Sequence, residues 1–242
     1  MFKATKGGDN KSEDFFMAVD HLSLTLYQNQ ILALLGHNGA GKTTTVSMLT
    51  GMLDATSGQV TCFGKNLISD QMEQSKLSKE VEFIRQIIGI CPQHDILFEM
   101  LTVREHLDIY CDFKGILESE KEQKINKIMK DVDVWAHRDT MAKSLSGGNK
   151  RKLSVAMALV ADSKLVLLDE PTSGMDLTAR RRLWAMLKDY KQERIIILTT
   201  HNMDEADLLG DRIAIMSQGK LVCLGSSDYL KQTFDRGYSF KV

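Results

Sequence analysis

Proline is almost missing from this chain: its 242 residues hold two, Pro92 and Pro171. Helices and strands can therefore run without the residue that most often interrupts them. An excess of one charge is missing as well, since 31 Lys and Arg face 32 Asp and Glu, a formal net charge of −1. No basic surplus exists to neutralise a phosphate backbone, so nucleic acid is not expected as a partner. No stretch reaches the ~18 apolar residues of a membrane span. Met1 to Asp20 lacks the apolar segment of a signal peptide. The four cysteines, Cys62, Cys91, Cys111 and Cys223, lie far apart with neither metal-ligand nor redox spacing. Reduced thiols in a cytosolic setting are the expectation. The length allows one large domain, or a core domain with a smaller lobe.

What is present is concentrated first in one short stretch. Residues 36–43 read Gly-His-Asn-Gly-Ala-Gly-Lys-Thr, the phosphate-loop pattern G-x-x-x-x-G-K-[ST]. Gly36, Gly39 and Gly41 let backbone amides turn inward as an anion nest for a polyphosphate. His37, Asn38, Ala40 and Thr44 complete the cradle. Lys42 is placed to neutralise the β- and γ-phosphates, and the Thr43 hydroxyl to ligate Mg²⁺. A Gly-rich turn can arise by chance. Here the apolar run Ile31–Leu35 precedes the loop as a strand and Thr44–Leu49 continues it as a helix, which is the context the pattern requires.

Along the rest of the chain, residues 1–14 form a polar lead-in and Val19–Leu26 alternates as a strand, with Leu22, Leu24 and Leu26 on one face. Gln59–Phe63 and Ile87–Cys91 read as further strands, and Ser69–Glu82 as a charged, helix-compatible stretch. Helical spacing of Leu107, Tyr110 and Cys111, then of Ile125, Ile128, Met129 and Val132, predicts a helical lobe set apart from the sheet. Lys164–Leu168 and Arg194–Thr199 are strands by composition. Strands alternating with helices argue a parallel sheet with crossover helices. Met48, Met52, Met157 and Met186 read as core filler, Cys91 as a small core residue, and Arg180–Arg182 as a solvated helix face.

Both prolines sit at strand exits, beside Gln93 and Glu170, and ligands of such sheets gather at the carboxyl ends of strands. The strand Leu165–Leu168 ends in Asp169 and Glu170. Asp169 is placed to hold Mg²⁺ directly or through water, and Glu170 to polarise a water for attack on a γ-phosphate. Alone, the pair reads equally well as solvated surface; the upstream loop favours chemistry. Leu145-Ser146-Gly147-Gly148-Asn149 precedes the helix-compatible run Lys150–Ala161. It offers a second anion site at a helix N-terminus, or, more plainly, an ordinary Ser N-cap.

Taken in order, these motifs resemble the nucleotide-binding domain of ATP-binding cassette (ABC) transporters. The likeness runs from about Phe16 to the C-terminus. It implies an α/β P-loop NTPase with a mainly parallel sheet core, an antiparallel β part near the N-terminus, and a helical subdomain at about 94–160 within a domain spanning 15–242. It also implies that Gln93 is the Q-loop glutamine, contributing to Mg²⁺ binding and catalysis, that Ser173-Gly174-Met175-Asp176 is the D-loop with Asp176 at a dimer seam, and that His201 is the switch histidine. Phe16, or Phe15, would stack on adenine. The phosphate loop, Cys91–Phe98, Leu145–Asn149 and Gly225–Lys231 resemble the A subfamily of eukaryotic membrane transporters, many of which move lipids. Asn149 stands where the wider family has Gln, and the Ser69–Glu82 stretch is longer than usual.

The resemblance further implies ATP and Mg²⁺ as ligands, a second nucleotide-binding domain and a transmembrane domain as partners, and a place at the cytoplasmic face of a membrane, with the piece soluble if expressed alone. Ser146, Gly147 and Gly148 would act in trans on the partner's nucleotide, Glu170 would orient the attacking water and His201 would contact the γ-phosphate. Three competing classes are a soluble ABC ATPase, a non-ABC phosphotransferase such as a small-molecule kinase, and a nucleotide-gated module without turnover. The first would call for long heptads or a tandem cassette, which are absent from the sequence; the 145–149 signature and Glu170 speak against the second, and intact Glu170 and His201 against the third.

Overall fold

A computed structural model describes residues 2–3, 15–68, 83 and 86–234. In chain order the elements are β1 (Phe2–Lys3), β2 (Phe15–Phe16), β3 (Gln30–Leu35), α1 (Lys42–Leu49), β4 (Val60–Cys62), β5 (Lys65–Ile68) and β6 (Ile88–Cys91). There follow α2 (Val103–Phe113), α3 (Glu118–Asp131), α4 (Gly147–Leu159), β7 (Leu165–Asp169), α5 (Leu177–Tyr190), β8 (Ile195–Thr200), α6 (Met203–Leu209), β9 (Arg212–Ser217), β10 (Lys220–Gly225) and α7 (Ser227–Phe234). The main sheet has the order β10-β9-β3-β8-β7-β6, parallel except for the β9–β10 hairpin. Two antiparallel pairs, β1–β2 and β4–β5, stand apart from it. The fold is thus the mixed α/β architecture expected from the sequence.

Register decides where function can sit. Leu35 is level with Thr200, Asp169 with Thr199 and Cys91 with Leu168. The chain therefore leaves β3, β6, β7 and β8 at one edge, delivering Gly36, Pro92, Glu170 and His201 together. The central strands are buried on both faces, as fits their continuous apolar runs.

Val19–Leu26 departs from expectation: it is not a strand. Its alternation is real, because Leu22, Leu24 and Leu26 pack beside Leu32, Leu34, Ala214 and Met216. Period two records which face is covered; a ladder also needs a neighbouring backbone in register, and here the Asp20 N–H bond to Gly219 O at 2.8 Å is not continued into one. The Ser69–Glu82 stretch lies outside the described residues.

The helical block is built from local signals. Thr102 caps α2 in a reciprocal capping box with Glu105. The buried Lys121 ammonium on α3 reaches Asp108 at 2.9 Å and Asp112 at 2.8 Å on α2. One apolar cluster runs from the sheet through α4 to Ile125, Ile128 and Met129 of α3, so α4 joins the helical block to the sheet. It lies so close to β6 that a Cβ on Gly89 would stand 1.9 Å from the Ala158 carbonyl oxygen. Met157 and Met186 are core residues as read, but Met52 is 67% exposed, because it lies beyond the end of α1. Arg180 and Arg182 are not simply solvated: Arg180 Nε donates to Met175 O at 3.0 Å, and Arg182 donates to Asp133 at 3.0 Å.

Candidate active site at the carboxyl edge of the sheet

The loop from Gly36 to Gly41 leaves β3 and enters α1 directly. Gly39 and Gly41 have φ of +80° and +101°, which L side chains rarely adopt. At Gly41 space forbids a side chain too, since a Cβ would meet Ala18 O at 2.5 Å. The loop is held from behind: Gly36 N–H donates to Thr200 O at 3.3 Å and Gly219 N–H to Ala40 O at 3.0 Å. Its outer face, His37 to Gly39, is exposed. Lys42 is buried and donates to the carbonyls of Gly36 at 2.7 Å and His37 at 3.1 Å. Burial holds its pKa below the ordinary lysine value, opposed by the charges of Glu170 and Asp169.

Asp169 ends β7, is 3% exposed, and accepts a hydrogen bond from the Thr199 hydroxyl. Glu170 turns out of the strand at φ +51°. Its N–H donates to Thr199 O and to Thr199 Oγ1, each at 3.1 Å. Its Oε1 lies 2.9 Å from His201 Nδ1. With Nδ1–H donating to the carboxylate, Nε2 is left for another partner. Thr43, Gln93 and Asp169 line one cleft of about 350 Å³, together with apolar residues including Met52, Ile90 and Ile96.

Those three residues supply a hydroxyl, an amide and a carboxylate, hard oxygen donors of the kind Mg²⁺ takes. No group of three or more His, Cys, Asp or Glu able to hold a metal occurs among the described residues. Ser146, Gly147 and Gly148 do not line the cleft, and neither do Lys42, Glu170 and His201. Ser146 is the N-cap of α4, accepting from Asn149 N–H at 3.3 Å. The glycines keep the helix start open, and a Cβ on Gly147 would meet nothing within 4 Å. Asp176 caps α5, accepting from Ala179 N–H at 2.9 Å; that bond lowers its carboxyl pKa. Phe15 and Phe16 form β2, but their side chains, and so the adenine contact, lie outside the described residues.

Three groups escaped the sequence reading. Thr199 was legible only as a β-branched strand residue. Arg151, within a polar helix start, gave no sign that it is buried. Glu205 is buried on α6 and accepts from Thr172 Oγ1 at 2.9 Å and Trp184 Nε1 at 3.1 Å, tying the segment after Pro171 to two helices.

A phosphate loop, paired acids at a neighbouring strand end and a capped glycine signature on a separate helix define a nucleotide-binding cassette of the P-loop class. The comparisons agree. The family described as ABC transporter matches residues 19–173, and this chain belongs to that family. It is 48% identical over 226 residues to ATP-binding cassette sub-family A member 2 of Homo sapiens, covering 93% of this chain and 9% of that protein. It is 50% identical over 221 residues to the retinal-specific phospholipid-transporting ATPase ABCA4 of Mus musculus, covering 91% and 9%. These relatives place it in the A subfamily. A solved ATP-binding subunit of an ABC transporter superposes with a TM-score of 0.80 at 25% identity, covering 92% of this chain and 89% of that one. The chain thus spans about a tenth of the length of the curated relatives it matches.

Proposed function

We propose that this chain binds Mg·ATP and hydrolyses it, powering the movement of a substrate, a lipid by its relatives' names, through a transmembrane partner. The observation that carries the reading is the 2.9 Å contact between Glu170 Oε1 and His201 Nδ1, made at the edge that also bears the phosphate loop. The loop amides and Lys42 receive the β- and γ-phosphates, Lys42 exchanging the Gly36 and His37 carbonyls for phosphate oxygens. Adenine rests on Phe16. Thr43, Gln93 and Asp169 would hold Mg²⁺, Asp169 directly or through water, and the cation would neutralise charge on the transferring phosphoryl group. Glu170 accepts a proton from water as the water oxygen attacks the γ-phosphorus; the bond to the bridging oxygen breaks and ADP leaves. His201 steadies Glu170 and faces the γ-phosphate through Nε2.

The site is incomplete in one chain. By the family resemblance, Ser146, Gly147 and Gly148 cover the nucleotide of a second cassette, with Asp176 at the seam. Leaving that sandwich after hydrolysis moves Gln93 and the segment to Arg104. There Ile96, Phe98 and Met100 are exposed apolar side chains suited to a membrane domain. No described helix is long and apolar enough to cross a membrane. In this reading the relatives' membrane function assigns the span to that partner, with the cassette on its cytoplasmic side. The helical subdomain of about 94–160 is the part that carries the signature.

The test is Glu170→Gln. ATP affinity by calorimetry should hold while turnover falls by roughly 10²-fold or more. A glutamine variant hydrolysing at the normal rate would remove Glu170 as the base.

A further inference from the structure

Arg151 sits in the first turns of α4, just past the signature, yet is 2% exposed. Its guanidinium bridges two chain segments. Nη1 donates to Pro92 O at 2.6 Å and Asp95 Oδ1 at 3.0 Å, and reaches Gln93 O at 3.4 Å. Nη2 donates to the Asp169 carbonyl and, at 3.0 Å, to the Glu170 carbonyl. Asp95 is tied back to α4 by the Ser154 hydroxyl at 2.8 Å. Nε is buried with no acceptor among the described residues. The side chain is therefore aimed at backbone carbonyls of the two loops that flank the cleft, at the expense of its own full pairing.

Glu170 explains why such a clamp is needed. A non-glycine residue at φ +51° keeps that conformation only when its neighbours over-determine it. Thr199 holds the N–H side of the Glu170 peptide unit, and Arg151 holds the carbonyl side. Between them they fix the direction in which the carboxylate leaves the backbone, toward His201. The same fork grips the glutamine loop. Lysine, with one compact ammonium, cannot serve both ends of this bridge.

We propose that Arg151 is a positioning residue for hydrolysis: carried on the signature helix, it locks the Glu170 turn and the Gln93 loop into one unit. The aim of the water-activating carboxylate then follows the position of that helix, which links each chain's own base to the signature it offers a partner. This rests on the reading of Glu170 as the base.

Two measurements on the full chain test it. The first is amide hydrogen exchange at Glu170 and Ser173, whose N–H groups are hydrogen-bonded about the turn. Arg151→Lys should speed it about 10-fold while the amides of β3 and β8 stay protected. The second is steady-state ATP turnover of Arg151→Lys, Glu170→Gln and the double variant. Arg151→Lys should lower kcat about 10- to 100-fold, the scale of a slightly misplaced reacting group, with KM unchanged. The double variant should match Glu170→Gln alone, because a positioning residue has nothing left to position. Arg151→Gln, which keeps two donors without charge, runs beside it in case one substitution fails to fold. Unchanged exchange at the turn, losses that multiply in the double variant, or an effect on KM alone would overturn the proposal. Equal turnover in the wild type and Glu170→Gln would instead defeat the reading of Glu170 and leave the exchange result to decide whether Arg151 is the lock.

Discussion

Lys42 bonds two carbonyls of its own loop, so its charge is held against the loop proposed to take the phosphates. Lys42→Ala should weaken Mg·ATP binding by about 1.5–3 kcal/mol, the scale of a charge-assisted hydrogen bond. Calorimetric titration of a folded variant checks this, and unchanged affinity would contradict it. The thiols give a second prediction. Cys91 and Cys111 are fully buried, and burial pushes their pKa values up to about 12 and about 11. Both stay protonated at pH 8, far below those values, and only the thiolate reacts. Iodoacetamide at pH 8 should therefore leave Cys91 and Cys111 unlabelled until denaturant is added, while the half-buried Cys62 and Cys223 react first. Mass spectrometry of labelled peptides reads the order. At this scale the sequence announced residues whose chemistry depends on type and spacing, Lys42, Asp169 and Glu170 among them. It hid Thr199 and Arg151, whose roles depend on which backbone atoms the fold brings within reach.

At the scale of elements, strands buried on both faces were legible because an apolar run bounded by turn residues has few other uses. Val19–Leu26 shows where that logic stops: alternation marks a covered face, but hydrogen-bond pairing depends on a neighbour distant in sequence. Gly89 shows another limit. Within a short apolar strand it looked incidental, yet α4 can reach β6 only because Gly89 lacks a Cβ. Gly89→Ala should force these elements apart and destabilise the fold by about 1–3 kcal/mol or more, the usual range for overpacking. Urea denaturation measures it; an unchanged midpoint would show that the approach is not tight. The helix starts at Thr102, Ser146 and Asp176 follow ordinary capping chemistry. Ser146 and Asp176 thus have local structural work whatever else they contact.

For the whole molecule, parallel strand register carries four loops to one edge, and this much followed from the alternation of strands and helices. The relation of α4 to the sheet did not, because it is set by packing across the core. The central claim is that one chain holds half of each site: its own cleft binds ATP, and Ser146 completes another's. Ser146 does not line the Thr43 cleft, and on this account arginine in its place blocks the docking of a partner's nucleotide. The most direct measurement compares ATP affinity and ATP-driven pairing for Glu170→Gln with and without Ser146→Arg, by calorimetry and light scattering. The account predicts equal affinity in the single chain, within about twofold or ~0.4 kcal/mol, and loss of the ATP-dependent paired species. A marked fall in the affinity of the single chain would contradict it, because Ser146 would then belong to its own chain's site.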